Sequence, residues 1–247
     1  MEALVLCGGF ATRLEPITLF VPKPLLPIGG RPIIDYTLDK IHEIGVEKII
    51  FSTNLKFADQ FEYWIEHKKN SGAGGNIHLI VEPTMHDGEK LGAIKGINYT
   101  IEKAAIEDDL LIVAGDNFYN FKLKKVLDHF NKGRKPTVAL YDLKSKKDAK
   151  RFGVVSVKDN ILTGFEEKPE RPKSTVVSTG IYLFPREMLG KFSEYVKDGN
   201  NPDAPGYFLQ WLIKNDEIHG VIYDENWFDI GTIDTYKKVF DQYMKKG

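Results

Sequence analysis

The amino-acid sequence predicts an α/β protein whose mixed, mostly parallel sheet is flanked by helices. From Met1 to Gly115, short apolar segments alternate with longer segments in which apolar residues recur at helical spacing. The short segments are mostly apolar rather than alternating, as is typical of parallel strands that helices cover on both faces. From Thr137 onward the pattern changes to strands joined by turns, which predicts a small β-rich lobe. The expected architecture is Rossmann-like, with ligand sites at the carboxyl ends of the strands.

In the parallel part we expect four strands and three helices. The strands are the short apolar runs Ala3–Leu6, Val46–Ser52, Ile77–Val81 and Leu110–Ala114. The helices carry apolar stripes and cover Pro32–Gly45, Lys56–Lys69 and Leu91–Ala105. Proline suits the first turn of a helix and glycine its end, so Pro32 and Gly45 mark the bounds of the first helix.

In the β-rich part we expect five strands, two helices between the last two of them, and a final helix toward the C-terminus. The strands are Val138–Leu143, Gly153–Val157, Ile161–Glu167, Ser178–Phe184 and Gly220–Tyr223. The two helices are Arg186–Tyr195 and Tyr207–Asn215. The lysine-rich run KSKKDAKR, which follows the first of these strands, is interpreted as a solvated connector. Because the chain shows no internal repeat and no separable linker, we expect one domain over residues 1–247.

Composition limits the classes of partner. The chain has 247 residues, 42% of them hydrophobic and 28% charged, which suits a globular protein with a substantial core. A formal net charge of −1 provides no basic field for nucleic acid or an anionic membrane. No apolar run reaches the roughly 18–20 residues of a membrane span, and no leader precedes the first strand, so we expect a cytoplasmic protein. The single cysteine, Cys7, excludes an internal disulfide and is interpreted as a small apolar residue rather than a catalytic thiol.

The first strand ends in a loop suited to an anion. Gly8 and Gly9 let backbone N–H groups approach a ligand without a Cβ in the way, and Arg13 and Lys23 bring fixed positive charge. A polyphosphate is the natural ligand of such a loop. The spacing fits neither the P-loop pattern G-x-x-x-x-G-K-[ST] nor the dinucleotide pattern G-x-G-x-x-G. The alternative interpretation is a tight turn whose basic side chains are only solvated.

This opening segment resembles the signature of the sugar-phosphate nucleotidyltransferases, also called nucleoside-diphosphate-sugar pyrophosphorylases. The signature reads G-G-x-G-T-R-L-x-P-x-T, followed by P-K-P-L-x-P and a proline that opens a helix. The matching positions are Gly8, Gly9, Thr12, Arg13, Leu14, Pro16, Thr18, Pro22, Lys23, Pro24, Leu25, Pro27 and Pro32. One position differs, because the family's glycine before Thr-Arg is Ala11 here. A positive φ there would cost alanine roughly 1–2 kcal/mol, so either the backbone is ordinary or strain is tolerated.

The resemblance implies transfer of a nucleotidyl group from a nucleoside triphosphate to a sugar 1-phosphate, with release of pyrophosphate. In the family two aspartates hold Mg²⁺, and Asp116 in Gly-Asp-Asn and Asp229 in Trp-Phe-Asp-Ile-Gly-Thr stand at the matching positions. Carboxylates suit this hard cation. Taken alone, Gly-Asp-Asn would equally be a turn or a cap. Because Gly9 and Asp116 both follow predicted strands, we expect them to face one crevice.

The resemblance also implies a sugar-binding role for the β-rich lobe. Lys168 corresponds to the lysine that holds the sugar phosphate, Glu167 to the acid that binds sugar hydroxyls, and Gly153 to a glycine that lies against the sugar. Without the first signature, Glu166, Glu167 and Lys168 would be interpreted as a charged strand end at the surface. Residues 1–135 are therefore expected to form mainly the nucleotide-binding half and residues 136–247 mainly the sugar-phosphate-binding half.

The implied mechanism is a direct displacement at the α-phosphorus, catalysed mainly by positioning and charge neutralisation. The expected catalytic residues are Arg13, Lys23 and Lys168. The implied nucleotide-binding residues are Leu6, Gly8, Gly9, Thr12, Arg13 and Gly92. The oligomeric state is left open, and a homo-oligomer is compatible with the sequence.

The choice of substrates rests on the finer motifs. Gly-Asp-Asn together with Glu-Glu-Lys-Pro resembles most the glucose-1-phosphate thymidylyltransferases, so dTTP or UTP with glucose 1-phosphate is the first expectation. The mannose-1-phosphate guanylyltransferases are the close alternative. The segment that reads the base, G-T-A-G-A or G-L-A-Q-A in the family, is Glu89-Lys90-Leu91-Gly92-Ala93 here.

Two interpretations from other classes also remain. The departures at Ala11 and in the Glu89-Lys90 segment are compatible with a regulatory subunit that binds nucleotide or sugar phosphate without turnover. A metal-dependent glycosyltransferase of related fold would require Asp-x-Asp where Asp116-Asn117-Phe118 stands. Both metal aspartates of the resemblance are present, which favours the catalytic interpretation.

Overall fold

The structure is a computed structural model and describes residues 1–244. The first half contains seven strands, β1 (Glu2–Leu6), β2 (Pro27–Ile28), β3 (Arg31–Pro32), β4 (Lys48–Asn54), β5 (Asn76–Glu82), β6 (Leu110–Ala114) and β7 (Asn117–Tyr119). Three helices lie between them, α1 (Ile33–Glu43), α2 (Ala58–Asn70) and α3 (Ala93–Lys103). Between β1 and β2 the chain forms the short 3₁₀-helices Thr12–Leu14, Ile17–Leu19 and Lys23–Leu25.

The second half begins with α4 (Lys124–Gly133) and β8 (Thr137–Asp142), and the short helix α5 (Lys146–Ala149) follows. The next strands are β9 (Gly153–Lys158), β10 (Ile161–Glu167) and β11 (Val176–Phe184). After them come the helices α6 (Gly190–Lys197) and α7 (Pro205–Leu212). The described part of the chain ends with β12 (His219–Tyr223), β13 (Trp227–Asp229) and α8 (Ile233–Met244).

Nine strands form one mixed sheet in the order β5-β4-β1-β6-β11-β8-β12-β10-β9. β5, β4, β1 and β6 are parallel neighbours, and β12 is parallel to β8. β11 runs antiparallel to β6 and β8, and β10 runs antiparallel to β12 and β9. All strands except β10 and β11 therefore point in one direction, which confirms the predicted mixed, mostly parallel sheet.

Helices cover both faces of this sheet, as the apolar strands predict. Along β1, Ala3 and Val5 belong to one buried cluster, and Leu4 belongs to a second cluster on the opposite face. The first cluster includes residues of α1, α2 and α4, and the second includes residues of α3, α6 and α7. Neighbouring side chains of a strand point to opposite faces, so a strand buried in both clusters has no polar side to show.

A third, smaller cluster holds the C-terminal helix on the body of the protein. It contains Leu26, Ile28, Ile33, Phe118, Ile230 and Val239. The Tyr236 hydroxyl on α8 also donates to the carbonyl of Pro27 at 2.6 Å. The final helix expected toward the C-terminus is thus present and packs on the body, with Val239 buried and Phe240 and Tyr243 partly exposed.

Three predicted elements differ in detail, and one helix was not predicted. Helix α4 has no counterpart among the predictions, because only Val126 and Phe130 are fully buried in a segment rich in charge. The first helix begins at Ile33, and Pro32 precedes it as the last residue of β3. The run interpreted as a connector contains α5, whose N-terminus is capped by Ser145. The helix expected from Arg186 begins as a 3₁₀-turn and becomes α-helical only at Gly190.

None of the helices within residues 1–244 has both the length and the apolar character needed to cross a membrane. The division of the domain into a nucleotide-binding half and a sugar-phosphate-binding half stays a prediction. The parallel strands β1 and β6 nevertheless end side by side, with Leu6 paired to Ala114. This pairing brings the loops that follow them, which carry Gly8 and Asp116, to the same edge of the sheet.

Candidate active site

The glycine loop after β1 presents its backbone to an open cleft. A Cβ placed on Gly9 would meet no atom within 4 Å, so the ligand side of this residue is free. Gly8 has a different surrounding, because a Cβ there would lie 3.1 Å from an oxygen of Glu82. The side-chain amide of Asn54 donates to the Gly8 carbonyl at 3.1 Å and fixes that peptide. The loop is thus fixed on its protein side by Asn54 and open to the cleft on the side of Gly9.

Ala11 adopts the left-handed conformation that the glycine of the resembling family would favour. Its backbone angles are φ 51 and ψ 39. Two donors hold its carbonyl, the Thr18 hydroxyl at 2.9 Å and the Leu14 amide at 2.9 Å. The second of the two alternatives therefore holds: the strain is tolerated. The left-handed conformation of Ala11 positions the turn that leads to Arg13.

Ala11→Gly is expected to raise the free energy of unfolding by up to about 1 kcal/mol. The left-handed alanine costs roughly 1–2 kcal/mol, and the greater freedom of glycine in the unfolded chain offsets part of that gain. Urea unfolding measures the difference. Ala58→Gly is the matched control, because Ala58 has an ordinary helical φ of −53 and should lose stability on the same change. Equal losses at both positions would contradict the assignment of strain to Ala11.

One cleft of about 510 Å³ opens at the carboxyl edge of the parallel strands. It brings together nine of the predicted site residues, Leu6, Gly8, Gly9, Thr12, Arg13, Lys23, Gly92, Asp116 and Lys168. Residues of both sequence halves line it. The expected crevice shared by Gly9 and Asp116 is therefore present in the structure, and Lys168 of the Glu-Lys-Pro turn lines it as well.

Gly92 is fixed by the loop that precedes α7. Its φ is +83, and a Cβ would lie 2.6 Å from the carbonyl of Pro202. The amides of Ala93 and Ile94 donate to the carbonyls of Asp203 and Pro202 at 3.4 and 2.9 Å. Only glycine fits this close approach, so the N-terminus of α3 and the loop form one wall of the cleft.

Lys23 and Asp116 meet at the centre of the site as an ion pair. Lys23 begins the third 3₁₀-turn, and its side chain is 12% exposed, whereas that of Asp116 is 33% exposed. Asp116 lies just beyond β6, and its neighbour Asn117 donates a side-chain hydrogen bond to the Thr179 carbonyl at 2.9 Å. This hydrogen bond anchors Gly-Asp-Asn, which forms a turn and holds Asp116 at the cleft.

Asp229 reaches Asp116 through a two-stranded ribbon. β13 pairs antiparallel with β7, and Asp229 is registered opposite Asn117. Burial raises the pKa of the Asp229 carboxyl, and the negative charge of Asp116 raises it further, while Lys23, Arg13 and Arg151 act in the opposite direction. The Ile230 amide also donates to the Asp116 carbonyl at 3.4 Å, so the two acids lie on neighbouring segments at the same edge of the site.

These two acids fit a magnesium ion. Within residues 1–244 no group of three metal-ligating side chains is present, so the protein would supply only two carboxylates. Mg²⁺ commonly takes one or two carboxylates and fills its other positions with water and phosphate oxygens. After burial, the charge of Asp116 is the second cause of the raised pKa of Asp229, and a divalent cation would offset this repulsion. Asp116 and Asp229 are therefore the residues that would hold it.

Lys168 stands on a strained turn at the end of β10. Its φ is 46, and its amide donates to the Phe152 carbonyl at 3.1 Å. The ammonium lies 3.6 Å from Glu167 and is 61% exposed, on the wall of the cleft. A non-glycine residue with positive φ is held there by its surroundings, and such strain is common where a side chain must be aimed at a ligand.

Glu167 and Gly153 lie behind Lys168. The two residues pair across β10 and β9, and a Cβ on Gly153 would be 3.1 Å from the Glu167 carboxylate. Gly206 on α7 approaches that carboxylate from the other side. Burial raises the pKa of Glu167, and the nearby charge of Lys168 lowers it. With Asp229, these two are the predicted site residues that adjoin the cleft without lining it.

Sequence reasoning missed two charged residues. Glu82 ends β5, is buried, and lines the cleft, where the Ser52 hydroxyl donates to it at 2.7 Å. Arg151 belongs to the run interpreted as a connector but lies beside Gly231 and Asp229. An acid directly after an apolar strand was the available signal for Glu82. For Arg151 no local pattern separates it from the lysines around it.

Cys7 precedes the loop at the base of the cleft, and its thiol contributes no chemistry to the site. Its side chain is buried, and burial, followed by the charges of Asp116 and Glu82, raises the pKa of the thiol. A thiol that resists ionisation is a poor nucleophile. A Cβ on Gly115 would lie 2.7 Å from its sulfur, so Cys7 fills the space between β1 and β6 as an apolar residue.

Comparison with known proteins gives a family match over nearly the whole chain. The family model described as "Nucleotidyl transferase" matches residues 2–246. A glucose-1-phosphate adenylyltransferase of Mycoplasma mobile is 31% identical over 250 residues, covering 96% of this chain and 65% of that protein. A D-glycero-alpha-D-manno-heptose 1-phosphate guanylyltransferase of Campylobacter jejuni is 27% identical over 237 residues, covering 96% of this chain and 97% of that protein.

The fold match is equally complete. The crystal structure of a UDP-glucose pyrophosphorylase complexed with UDP-glucose superposes with a TM-score of 0.84 at 20% identity, covering 100% of this chain and 99% of that chain. At this identity the similarity concerns the fold. The chain spans 51 to 65% of the length of several curated relatives that it matches.

Proposed function

We propose, because this chain belongs to the nucleotidyl transferase family, that it joins a nucleoside triphosphate to a sugar 1-phosphate. The products would be a nucleoside-diphosphate sugar and pyrophosphate. The observation that carries the proposal is the convergence of Arg13, Lys23, Asp116 and Lys168 on one cleft. Two phosphorylated reactants need cations on both sides and a metal site between them, and this cleft has that distribution of charge.

In the proposed reaction an oxygen of the sugar phosphate attacks the α-phosphorus, and pyrophosphate leaves in line. The second phosphate pKa lies near 6, so the nucleophile is already ionised at neutral pH and no general base is required. The N–H groups around Gly9, with Arg13 and Lys23, bind the triphosphate and stabilise charge on the departing pyrophosphate. Lys168 orients the sugar phosphate from the opposite wall. Mg²⁺ held by Asp116 and Asp229 would neutralise phosphate charge between the reactants.

A substrate panel tests this function. Pyrophosphate release is measured with GTP, dTTP, UTP, ATP and CTP, each combined with glucose 1-phosphate or mannose 1-phosphate and Mg²⁺. We expect release that depends on both substrates in at least one pair, with formation of the matching nucleoside-diphosphate sugar. Nucleotide binding without turnover in every pair would instead support the non-catalytic regulatory subunit.

For the base, Glu82 favours the guanylyl alternative over the thymidylyl or uridylyl expectation. Its carboxylate lines the same cleft as Gly92 and lies between Gly8 and Gly96, where Cβ atoms would come within 3.1 and 2.7 Å of Oε1. An ionised carboxylate only accepts hydrogen bonds. Guanine is the base that presents two adjacent donors, N1–H and the 2-amino group, to such an acceptor pair.

Thymine and uracil fit this carboxylate less well. Each offers a single N3–H between two carbonyl oxygens, and one of these oxygens would face an unpaired carboxylate oxygen. The guanylyltransferase from Campylobacter jejuni, which this chain nearly spans in length, is a relative whose name carries the same base. For the sugar, neither Glu167 nor Gly153 distinguishes glucose from mannose, so both belong in the panel.

Glu82→Gln is expected to lower kcat/KM for GTP by about 10- to 100-fold, because a charge-assisted hydrogen-bonded pair is lost. An amide offers one acceptor and one donor, so kcat/KM for dTTP or UTP should rise.

Burial raises the pKa of Glu82, so its carboxyl gains a proton at a higher pH than usual. For the wild type, the ratio of kcat/KM for GTP to kcat/KM for dTTP or UTP should therefore fall as the pH is lowered. For Glu82→Gln the same ratio should stay constant. A wild type that prefers dTTP or UTP would refute the assignment of guanine.

A further inference from the structure

The charges assigned so far leave the sugar phosphate with one cation. A sugar 1-phosphate is close to a dianion at neutral pH. Arg13 and Lys23 lie on the glycine-loop wall, and Lys168 alone faces the reactant from the β-rich lobe. Asp116 and Asp229 add two negative charges nearby. A divalent metal ion would balance these two charges and leave the charge of the sugar phosphate unbalanced. A dianion beside such acids needs a second cationic partner to bind well.

We propose that Arg151 is this partner and binds the sugar phosphate together with Lys168. The proposal rests on the nucleotidyl transfer argued above and assigns a substrate-binding role to a residue outside the three signatures. Arg151 follows α5, the short helix in the lysine-rich run. Its side chain is exposed and lies outside the lining of the 510 Å³ cleft, so the guanidinium would reach the sugar phosphate from beyond the cleft wall.

The geometry places Arg151 at the metal end of the site. From the position of a Cβ on Gly231, Asp229 Oδ2 lies at 2.9 Å and Arg151 Nη2 at 3.9 Å. The guanidinium and the carboxylate therefore flank the same point.

Phe152 ties Arg151 to both sides of the site. Its carbonyl accepts the hydrogen bond from the Lys168 amide at 3.1 Å. Its ring packs edge-on against Trp227 of β13, with centroids 5.3 Å apart, and the Arg151 guanidinium lies 5.7 Å from the centre of the same ring. One residue thus sets the spacing between Lys168, Arg151 and the strand that carries Asp229.

This placement favours the sugar phosphate over the triphosphate. Arg151 shares the β-rich lobe with Lys168, whereas Arg13 and Lys23 belong to the opposite wall. A neighbouring pocket of about 430 Å³, lined by Lys150, Lys168, Pro169, Glu170 and Arg171, extends the positive surface on the same side. A guanidinium binds two phosphate oxygens in a planar fork, which a lone ammonium cannot do. Arg151 would therefore orient the attacking phosphate as well as attract it.

The test separates the two Michaelis constants of the reaction. For Arg151→Gln we expect KM for the sugar 1-phosphate to rise about 10- to 100-fold, with less than about threefold change in KM for the nucleoside triphosphate. Arg151→Lys should recover part of the loss, because the charge returns without the fork. The control is Lys146→Gln, an exposed lysine of the same run at the start of α5, and it should behave as wild type.

The outcomes separate this inference from the proposed function. An active wild type with unchanged KM for the sugar 1-phosphate in Arg151→Gln would overturn the inference and leave the function standing. A rise confined to KM for the triphosphate would overturn it too, by moving Arg151 to the other substrate. If Arg151→Gln loses both thermal stability and all turnover, Arg151→Lys becomes the deciding variant. Full recovery of KM for the sugar 1-phosphate by Arg151→Lys would refute the two-oxygen contact of the guanidinium with the phosphate. A wild type inactive with every pair would refute both proposals.

Discussion

Lys23→Ala is expected to reduce turnover by about 10²–10⁴-fold while the protein remains folded. The ammonium lies at the centre of the cleft and pairs with Asp116, so its charge faces the place where pyrophosphate would depart. Loss of a single preorganised group that stabilises developing negative charge typically costs about 10²–10³-fold, and here Asp116 also loses its partner. The rate of pyrophosphate release under saturating substrates measures the effect.

Two controls accompany this variant. Lys124→Ala removes an exposed lysine that pairs with Asp128 on the surface of α4, and its turnover should match that of the wild type. Lys23→Ala should stay folded with a modestly lower melting temperature, because it loses a partly exposed ion pair but no buried apolar contact. Near-normal pyrophosphate release by Lys23→Ala would remove Lys23 from the catalytic scheme.

Asp229→Asn is expected to abolish measurable turnover and, in the absence of Mg²⁺, to stabilise the fold. Burial and the charge of Asp116 raise the pKa of Asp229, which means that its ionised form is disfavoured in the folded protein. A neutral amide of the same shape removes that penalty, as occurs when an active-site strain is relieved. Calorimetry without metal should give a higher melting temperature for Asp229→Asn than for the wild type.

Metal titration supplies the complementary result. Mg²⁺ should raise the melting temperature of the wild type, because a cation that binds only the folded state stabilises it. For Asp229→Asn this increase should be largely lost. Asp234→Asn, an acid in the first turn of α8, is the matched control and should retain the increase. An Asp229→Asn variant that is less stable without metal, yet responds to Mg²⁺ as the wild type does, would contradict the assigned metal site.

Most of the fold could be predicted because its signals are local. The apolar runs of β1 and β6 and the stripe of α1 each lie within a few residues of sequence, and parallel strands of this kind place their carboxyl ends together. For that reason the proximity of Gly9 and Asp116 follows from the strand pattern alone. The conformation of Ala11 was left as two alternatives, since a sequence does not reveal where strain is tolerated.

The missing parts depend on contacts between distant segments. β7 and β13 are three-residue strands more than 100 positions apart, so no pattern predicts their pairing or the approach of Asp229 to Asp116. Glu82 gains its role from Gly8 and Gly96, which lie on other elements. Arg151 is one of five basic residues in the run KSKKDAKR. Only the packing of its neighbour Phe152 against Trp227 distinguishes it from the four lysines. Sequence motifs therefore identify the residues within the signatures more readily than the site residues that surround those signatures in space.

The most direct test of the central claim is a crystal structure with Mg²⁺, a sugar 1-phosphate and an α,β-methylene nucleoside triphosphate, which does not react. The claim is that one cleft receives both substrates. We expect the triphosphate on the glycine loop beside Arg13 and Lys23, the metal between Asp116 and Asp229, and the sugar phosphate on Lys168 with an oxygen facing the α-phosphorus. Substrates bound in separate sites, or a metal ion that contacts neither aspartate, would contradict it.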